Sequence, residues 1–158
     1  MFFDDSVAAF RNLLVAMVSG GRLVFVAWLA APLNEWVLLP LSVIVPVVGP
    51  PELPPPGAPG PFAFADADRL RALLVEAGWT EVALEDVQCD VWVGGATTAA
   101  EGVAFTTSDT FGQMLLAKAT DDQRAEALTR LEEAYEQRVV DGQLRLGAAA
   151  WLVTARNP

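Results

Sequence analysis

Residues 19–28 read SGGRLVFVAW, and the predicted fold depends on this stretch. Its two glycines predict the end of a helix, because glycine adopts the left-handed conformation that a helix C-terminus needs. The apolar run over residues 22–28 predicts a strand covered on both faces, as is usual in parallel sheets. Upstream, residues 7–17 carry apolar side chains at helical spacing. Helix, turn and strand together predict the second half of a βαβ unit, whose first strand ends near residues 1–3.

The composition limits the class of protein. The chain has 158 residues, enough for one domain with a hydrophobic core, and 53% of them are hydrophobic. This content predicts either a large core or an apolar surface that meets a partner. The formal net charge is −10, and the ten basic residues are scattered along the chain. We therefore predict no binding to nucleic acid or to an anionic membrane, since both need basic patches.

The chain contains no histidine and a single cysteine, Cys89. Without histidine there are no Ser-His-Asp or Cys-His catalytic groups and no histidine metal ligands, and we predict no metal site. Cys89 lies in a predicted strand, where a buried and unreactive thiol is expected. One cysteine allows no intrachain disulfide, and the N-terminus lacks the basic segment of a secretory signal. These features favour a cytoplasmic protein.

The most apolar part of the chain covers residues 23–48. A helix that crosses a membrane needs about 20 consecutive apolar residues, whereas prolines and polar residues interrupt this segment. We therefore predict a loop followed by a kinked apolar helix over residues 35–45. Binding of residues 33–48 to a membrane surface is the alternative interpretation.

The remaining chain alternates between signals for loop, helix and strand. Residues 49–61 consist mainly of proline and glycine and predict an exposed loop, which either joins two elements or presents a proline motif to a partner. After this loop the sequence predicts a helix capped by Asp66 and ended by Gly78, and then a strand or strand pair over 79–93. One or two irregular helices follow over 97–118, with Phe105 and Leu115 facing inward. The last elements are a helix that begins with a capping box at Thr120 and reaches about Val139, and a strand over 144–155. This order predicts an α/β fold in one region spanning residues 1–158.

In order along the chain, four segments resemble the C-terminal half of the class I S-adenosylmethionine-dependent methyltransferases, of the type 11-like group. They are MFFDD leading into AAFRNLL (1–14), SGGRLVFV (19–26), ADADRLRALLVEAGWTEV (65–82) and AWLVTAR (150–156). By this resemblance they are similar to the end of the fourth strand, the glycine turn with the fifth strand, the helix before the sixth strand, and the seventh strand. The resemblance implies a partial Rossmann-like methyltransferase sheet with strands in the order 5-7-6 and with flanking helices.

The chain departs from the family at the cofactor site. Family members hold S-adenosylmethionine with a glycine-rich loop after strand one, and this sequence contains no Gly-x-Gly-x-x-Gly motif. We therefore expect the half that binds the cofactor to lie outside the chain. The strand over residues 22–28 would then form an apolar sheet edge where the fourth strand should pair. Such an edge predicts association with an N-terminal half or with a second copy as a homodimer.

The resemblance also implies where ligands bind. Phe2 and Phe3 would lie near the cofactor, at the end of strand four. Four aromatic residues would line the pocket for a hydrophobic small-molecule methyl acceptor: Trp28, Trp36, Phe62 and Phe64. The alternative is that these aromatic side chains belong to the core.

Two functions follow from these observations. The first is a methyltransferase portion that lies on the substrate side, transfers a methyl group to an unidentified small molecule, and is inactive without the half that binds S-adenosylmethionine. The second is a non-enzymatic α/β interaction or ligand-binding module that self-associates through the exposed fifth strand.

Overall fold

The computed structural model describes residues 1–52 and 58–158. Within them the elements are helices α1 (Ser6–Val15), α2 (Glu35–Val48), α3 (Ala67–Glu76), α4 (Ala99–Ser108), α5 (Thr110–Leu116) and α6 (Asp121–Glu136), and strands β1 (Arg22–Trp28), β2 (Thr80–Trp92), β3 (Val139–Val140) and β4 (Gln143–Arg156). The predicted α/β class with flanking helices is confirmed. Of the predicted proline-rich loop over 49–61, residues 53–57 lie outside the described part of the chain.

The strands form an open antiparallel sheet in the order β1-β4-β2, and the short β3 also pairs with β4. β1 pairs with the last part of β4, from Arg22 opposite Arg156 to Trp28 opposite Ala150. The expectation that β1 belongs to a parallel sheet is therefore wrong for its pairing within this chain. An apolar run does not specify strand direction, because direction depends on the strand that pairs with it.

β1 is covered on one face only, contrary to the prediction of two covered faces. Phe25 packs into the core, whereas the side chains of Val24 and Val26 are 51% and 60% exposed. Valine suits an exposed strand surface as well as a buried one, so the apolar sequence does not reveal this alternation.

Residues 1–3 form no strand, and the prediction of a strand that ends there is also wrong. Among the described residues, β1 is the last strand on its side of the sheet, so residues 1–3 have no neighbouring strand there to belong to.

The structure divides into two compact units, and the first comprises the described residues within 1–33, 58–88 and 149–158. Helices α1 and α3 contribute Phe10, Leu70 and Leu74 to its core, together with Trp79. The indole Nε1–H of Trp79 donates to the carbonyl of Phe10 at 3.0 Å, so its one polar group is satisfied inside the core.

The ends of α1 and α3 are determined by polar side chains. Asp66 caps α3 as predicted, its carboxylate accepting the Arg69 backbone N–H at 2.9 Å. Asn157 is buried, and its side-chain amide donates to the carbonyls of Leu14, Met17 and Val18 at 3.1, 2.9 and 3.2 Å. The carbonyls of Leu14 and Val18 also accept backbone N–H groups, from Met17 and Gly21, so the amide of Asn157 adds a second donor where the chain leaves α1.

The second unit comprises residues 34–52 and 89–148 among those described. Its core contains Ile44 of α2, Leu131 and Tyr135 of α6, and Leu144 of β4. The predicted capping box of α6 is confirmed, with Thr120 and Gln123 bonded to each other's backbone. α2 continues past the predicted end at residue 45, and α6 ends before residue 139 because the chain there enters the β3–β4 hairpin.

Two predicted burials in the second unit are wrong. Cys89 is exposed, since most of β2 has both faces open to solvent. Phe105 is exposed as well, and its ring lies against Gly94, a position at which a side chain would collide with it. Among the residues described, no helix combines the length and apolar character needed to cross a membrane.

Candidate functional site

An open cleft of about 490 Å³ lies in the first unit, where the N-terminal segment enters α1 beside α3. Its apolar lining consists of Phe3, Val7, Pro59, Ala63, Phe64, Ala72 and Leu73, and its polar lining consists of Asp4, Asp5, Ser6, Arg69 and Glu76. The volume falls within the range of about 300–1,000 Å³ that small-molecule sites have. The cleft is therefore the candidate site of this unit.

Rigid elements hold both walls of the cleft. Asp5 caps α1, with its Oδ1 accepting the Ala8 backbone N–H at 2.9 Å. Phe64 is buried, and its ring centroid lies 5.7 Å from that of Phe10 in the core of the unit. The wall that α3 supplies is fixed by burial of the opposite side of that helix, where Leu70 and Leu74 lie.

The structure brings two of the predicted site residues together at this cleft, Phe3 and Phe64. Phe3 is 47% exposed, and Phe2, the other cofactor candidate, is 70% exposed and does not line the cleft. Neither residue is part of the core. Trp28 and Phe62 are half-buried in the same unit and lie away from the cleft lining.

Trp36 lies in the second unit, where it is half-buried against the hydrophobic core. Its indole Nε1–H donates to Asn34 Oδ1 at 3.0 Å. The interpretation of Trp36 as a core residue thus accounts for its described packing.

The sequence prediction missed the residues that α3 contributes, namely Arg69, Leu73 and Glu76. They recur at spacings of four and three along the helix and therefore share one side of it. The sequence prediction assigned this helix only its ends, at Asp66 and Gly78, and placed no site residue on it. That spacing is the signal that could have identified them.

The charges of the cleft limit what it can bind. Three carboxylates, Asp4, Asp5 and Glu76, face a single guanidinium, that of Arg69. Phosphate groups would be repelled by this excess of negative charge, whereas a neutral or cationic molecule would not. The exposed phenyl ring of Phe3 adds apolar surface and can also contact a cation, whereas Phe64 is 4% exposed.

A carboxylate of the second unit, Glu35, has a structural position. Its Oε2 accepts the Gly147 backbone N–H at 2.9 Å, and its Oε1 accepts from Arg138 Nε at 2.8 Å. The bond from Gly147 lowers the pKa of Glu35, burial opposes that effect, and Arg138 lowers the pKa further. Glu35 therefore connects the start of α2 to β4 and is occupied by these contacts.

The buried hydroxyls of the second unit also satisfy each other. Tyr135 Oη and Thr106 Oγ1 lie 2.8 Å apart. Burial raises the pKa of Tyr135 to about 12, an effect that the Thr106 bond opposes and the charge of Asp109 reinforces. A phenol with this pKa stays protonated at neutral pH, so the pair is a structural link between α4 and α6.

The described residues contain no cluster of three or more potential metal ligands, and the sequence has no histidine. Comparison with known proteins found no family model that matches the sequence and no curated protein with significant similarity to it.

Proposed function

We propose that this chain is the substrate-side portion of an S-adenosylmethionine-dependent methyltransferase that methylates a hydrophobic small molecule. The half with the glycine-rich loop that binds the cofactor is supplied from outside these 158 residues. One observation carries the proposal: the last strand of the chain, β4, lies between β1 and β2. This order corresponds to the 5-7-6 order that the sequence resemblance implies.

The cleft supports the proposal in its chemistry. Methyl transfer needs the sulfonium carbon and the acceptor atom to be aligned, and it asks little of acid or base groups. Phe3 is a candidate for the cofactor side and Phe64 for the acceptor side, and both line one cleft. Aromatic rings and an excess of carboxylates suit the positive charge of a sulfonium. Phe64 and Leu73 supply apolar surface for the acceptor.

The described residues do not form a nucleotide site by themselves. The described lining of the cleft contains no glycine-rich turn that follows a strand. The role of this chain is to bind and orient the acceptor. The open edge of β1 is the place where the sheet would continue into the cofactor-binding half.

Calorimetry on two proteins tests the proposal. The chain alone should show no S-adenosylmethionine binding up to about 1 mM. A chimera carries the cofactor half of a small-molecule methyltransferase, ending at strand four, fused ahead of Met1. It should bind the cofactor at least about tenfold more tightly than that half alone.

The matched control is the same chimera with Val24→Lys and Val26→Lys, which places two charges on the joining edge and should lose the gain in affinity. Tight binding of S-adenosylmethionine by the isolated chain would contradict the proposal. A folded chimera that binds no better than the cofactor half alone would also contradict it.

The second candidate function is a non-enzymatic α/β interaction module derived from the same fold. The exposed, apolar edge of β1 favours it, because such an edge pairs readily with another strand. A chimera that gains no affinity, combined with stable self-association of the chain, would favour this function over methyl transfer.

A further inference from the structure

β1 ends the sheet, and within the described chain no strand pairs with its outer edge. The inner bonds show which backbone groups face outward. Leu29 N–H donates to the Ala149 carbonyl at 3.0 Å, which places the odd-numbered residues in the bonded pairs with β4. Because bonded and non-bonded pairs alternate along an antiparallel ladder, the N–H and C=O groups of Val24 and Val26 point to the open edge.

The side chains of the same two valines lie on the exposed face of the sheet. The register places Thr154 opposite Val24 and Leu152 opposite Val26, and both of these residues are only partly buried. Proteins usually protect such an edge with proline, lysine, inward-pointing charges or a bulge. β1 has no proline and no acidic residue, and Arg22 is its single charge. Within residues 1–52 and 58–158, this edge is therefore available to another strand.

We propose that β1 of a second copy of this chain pairs with this edge, antiparallel and about a two-fold axis through Phe25. This register is centred on the two exposed valines. It places Val24 opposite Val26 of the second copy, and these residues exchange both of their outward-facing hydrogen bonds. The interface is self-complementary, as two-fold symmetry requires.

The charge of the chain favours this edge over other surfaces for self-association. A net charge of −10 opposes contact between two copies wherever carboxylates meet. β1 brings no carboxylate to the interface. The two Arg22 side chains lie at opposite ends of the paired strands, about 20 Å apart, where they repel each other little.

This inference rests on the edge geometry and not on the proposed function. The two are separate because a cofactor half and a second copy would compete for the same edge, and only one of them can bind there at a time. Light scattering coupled to size exclusion, run on the 158-residue chain over a concentration series, should show a dimer with a dissociation constant in the micromolar range. Val26→Lys should raise that constant about 100-fold, because it places a charge in the pairing edge of each copy.

Val75→Lys is the matched control. Val75 is 58% exposed and lies on α3, so the same substitution is made at a similarly exposed valine away from β1. It should leave the dissociation constant unchanged. Far-UV circular dichroism checks that both variants are folded, and Val24→Lys replaces Val26→Lys if that variant is not.

Amide hydrogen exchange tells a β1 dimer from a dimer formed elsewhere. The amides of Val24 and Val26 should exchange fast in dilute solution and slow down as concentration rises, whereas that of Phe25 should be protected throughout. A chain that stays monomeric at about 1 mM overturns the inference. So does a dimer in which the two valine amides exchange equally fast at all concentrations. Either result leaves the test with the chimera unaffected.

Discussion

The two edges of the sheet differ in how they meet solvent. The outer edge of β1 presents Val24 and Val26 and carries no acidic side chain. At the other end of the sheet, β2 carries exposed Glu81, Glu85 and Asp86. Glu81 also has a positive φ of 50°, which disturbs the regular strand there.

Charges and local irregularity are the means by which proteins stop edge strands from pairing with other molecules. β2 has both, whereas β1 has a single charge at its first residue, Arg22, and no residue with a positive φ. The chain has 20 acidic residues and 10 basic ones. Even so, the edge formed by β1 has no carboxylate. The difference supports the proposal that β1, and not β2, pairs with another strand.

The largest expected effect is a difference in stability between proline substitutions at the inner and the outer hydrogen-bonding positions of β1. Phe25→Pro removes a hydrogen bond to β4 and a ring that lies 5.3 Å from that of Phe10. It should lower the free energy of unfolding by about 3 kcal/mol or more. Val26→Pro, whose N–H faces outward, should cost the monomer far less and should still prevent dimerisation. Urea unfolding followed by circular dichroism measures both, and equal losses would refute the assigned direction of the N–H groups.

The next prediction concerns a carboxylate that stabilises the fold instead of protecting an edge. Glu35→Gln should lower the free energy of unfolding by about 2 kcal/mol at pH 7, since charged hydrogen bonds to Gly147 and Arg138 become neutral ones. The pKa of Glu35 is lowered in the folded protein. Its contribution is therefore present above the ordinary value of 4.5 and is lost as pH falls through the folded-state pKa.

Wild type and the Glu35→Gln variant should consequently converge in stability once the pH falls below the folded-state pKa of Glu35. Thermal unfolding at pH 7 and at low pH measures the difference. Glu85→Gln is the control, because that side chain is exposed, and it should change stability little at either pH. A gap between wild type and the Glu35 variant that is constant with pH would show that the charge of Glu35 contributes nothing.

Removing the charges of β2 should make the second edge resemble the first. Glu85→Thr with Asp86→Thr should produce assemblies larger than a dimer and lower the concentration at which association begins by about tenfold. The control is Glu133→Thr with Glu136→Thr, which makes the same change of charge on exposed positions of α6. If the control associates as strongly, net charge and not edge protection determines solubility. Dynamic light scattering over a concentration series decides between these outcomes.

The smallest effect checks that stability and association are separate properties. Tyr135→Phe leaves the buried Thr106 hydroxyl without its phenol partner and should cost about 1 kcal/mol. The oligomeric state should not change. Because the phenol pKa is raised to about 12, the folded wild type keeps its proton above pH 10 while the unfolded chain loses it. The wild type should lose stability there through Tyr135, and the variant should be spared that loss.

Local signals predicted the helices well. Asp66 and the Thr120 capping box mark helix starts by hydrogen bonds within one turn, so a short window of sequence contains the whole interaction. The final strand and the α/β class were also predicted correctly. Periodicity carries no information on which strands are neighbours, and the methyltransferase strand order that the resemblance implies stays a prediction.

The errors concern properties that distant parts of the chain determine. Which face of β1 is covered depends on α1 and α3, and the exposure of Cys89 depends on how little of β2 is covered. The same dependence on distant parts of the chain explains why the sequence named only some of the residues that line the candidate site. Phe3 and Phe64 were identified as aromatic candidates, but their meeting at a cleft with Arg69 depends on tertiary packing.

The bond between Asn157 and the end of α1 has a consequence for how the protein is made. Leu14 and Asn157 are 143 positions apart, and β1 likewise pairs only with the final residues of β4 among those described. A ribosome releases α1 and β1 long before their stabilising contacts exist, and contacts this distant form slowly. During synthesis the valines of β1 are unpaired on both sides. Chaperone demand should therefore be concentrated on this early segment of the nascent chain.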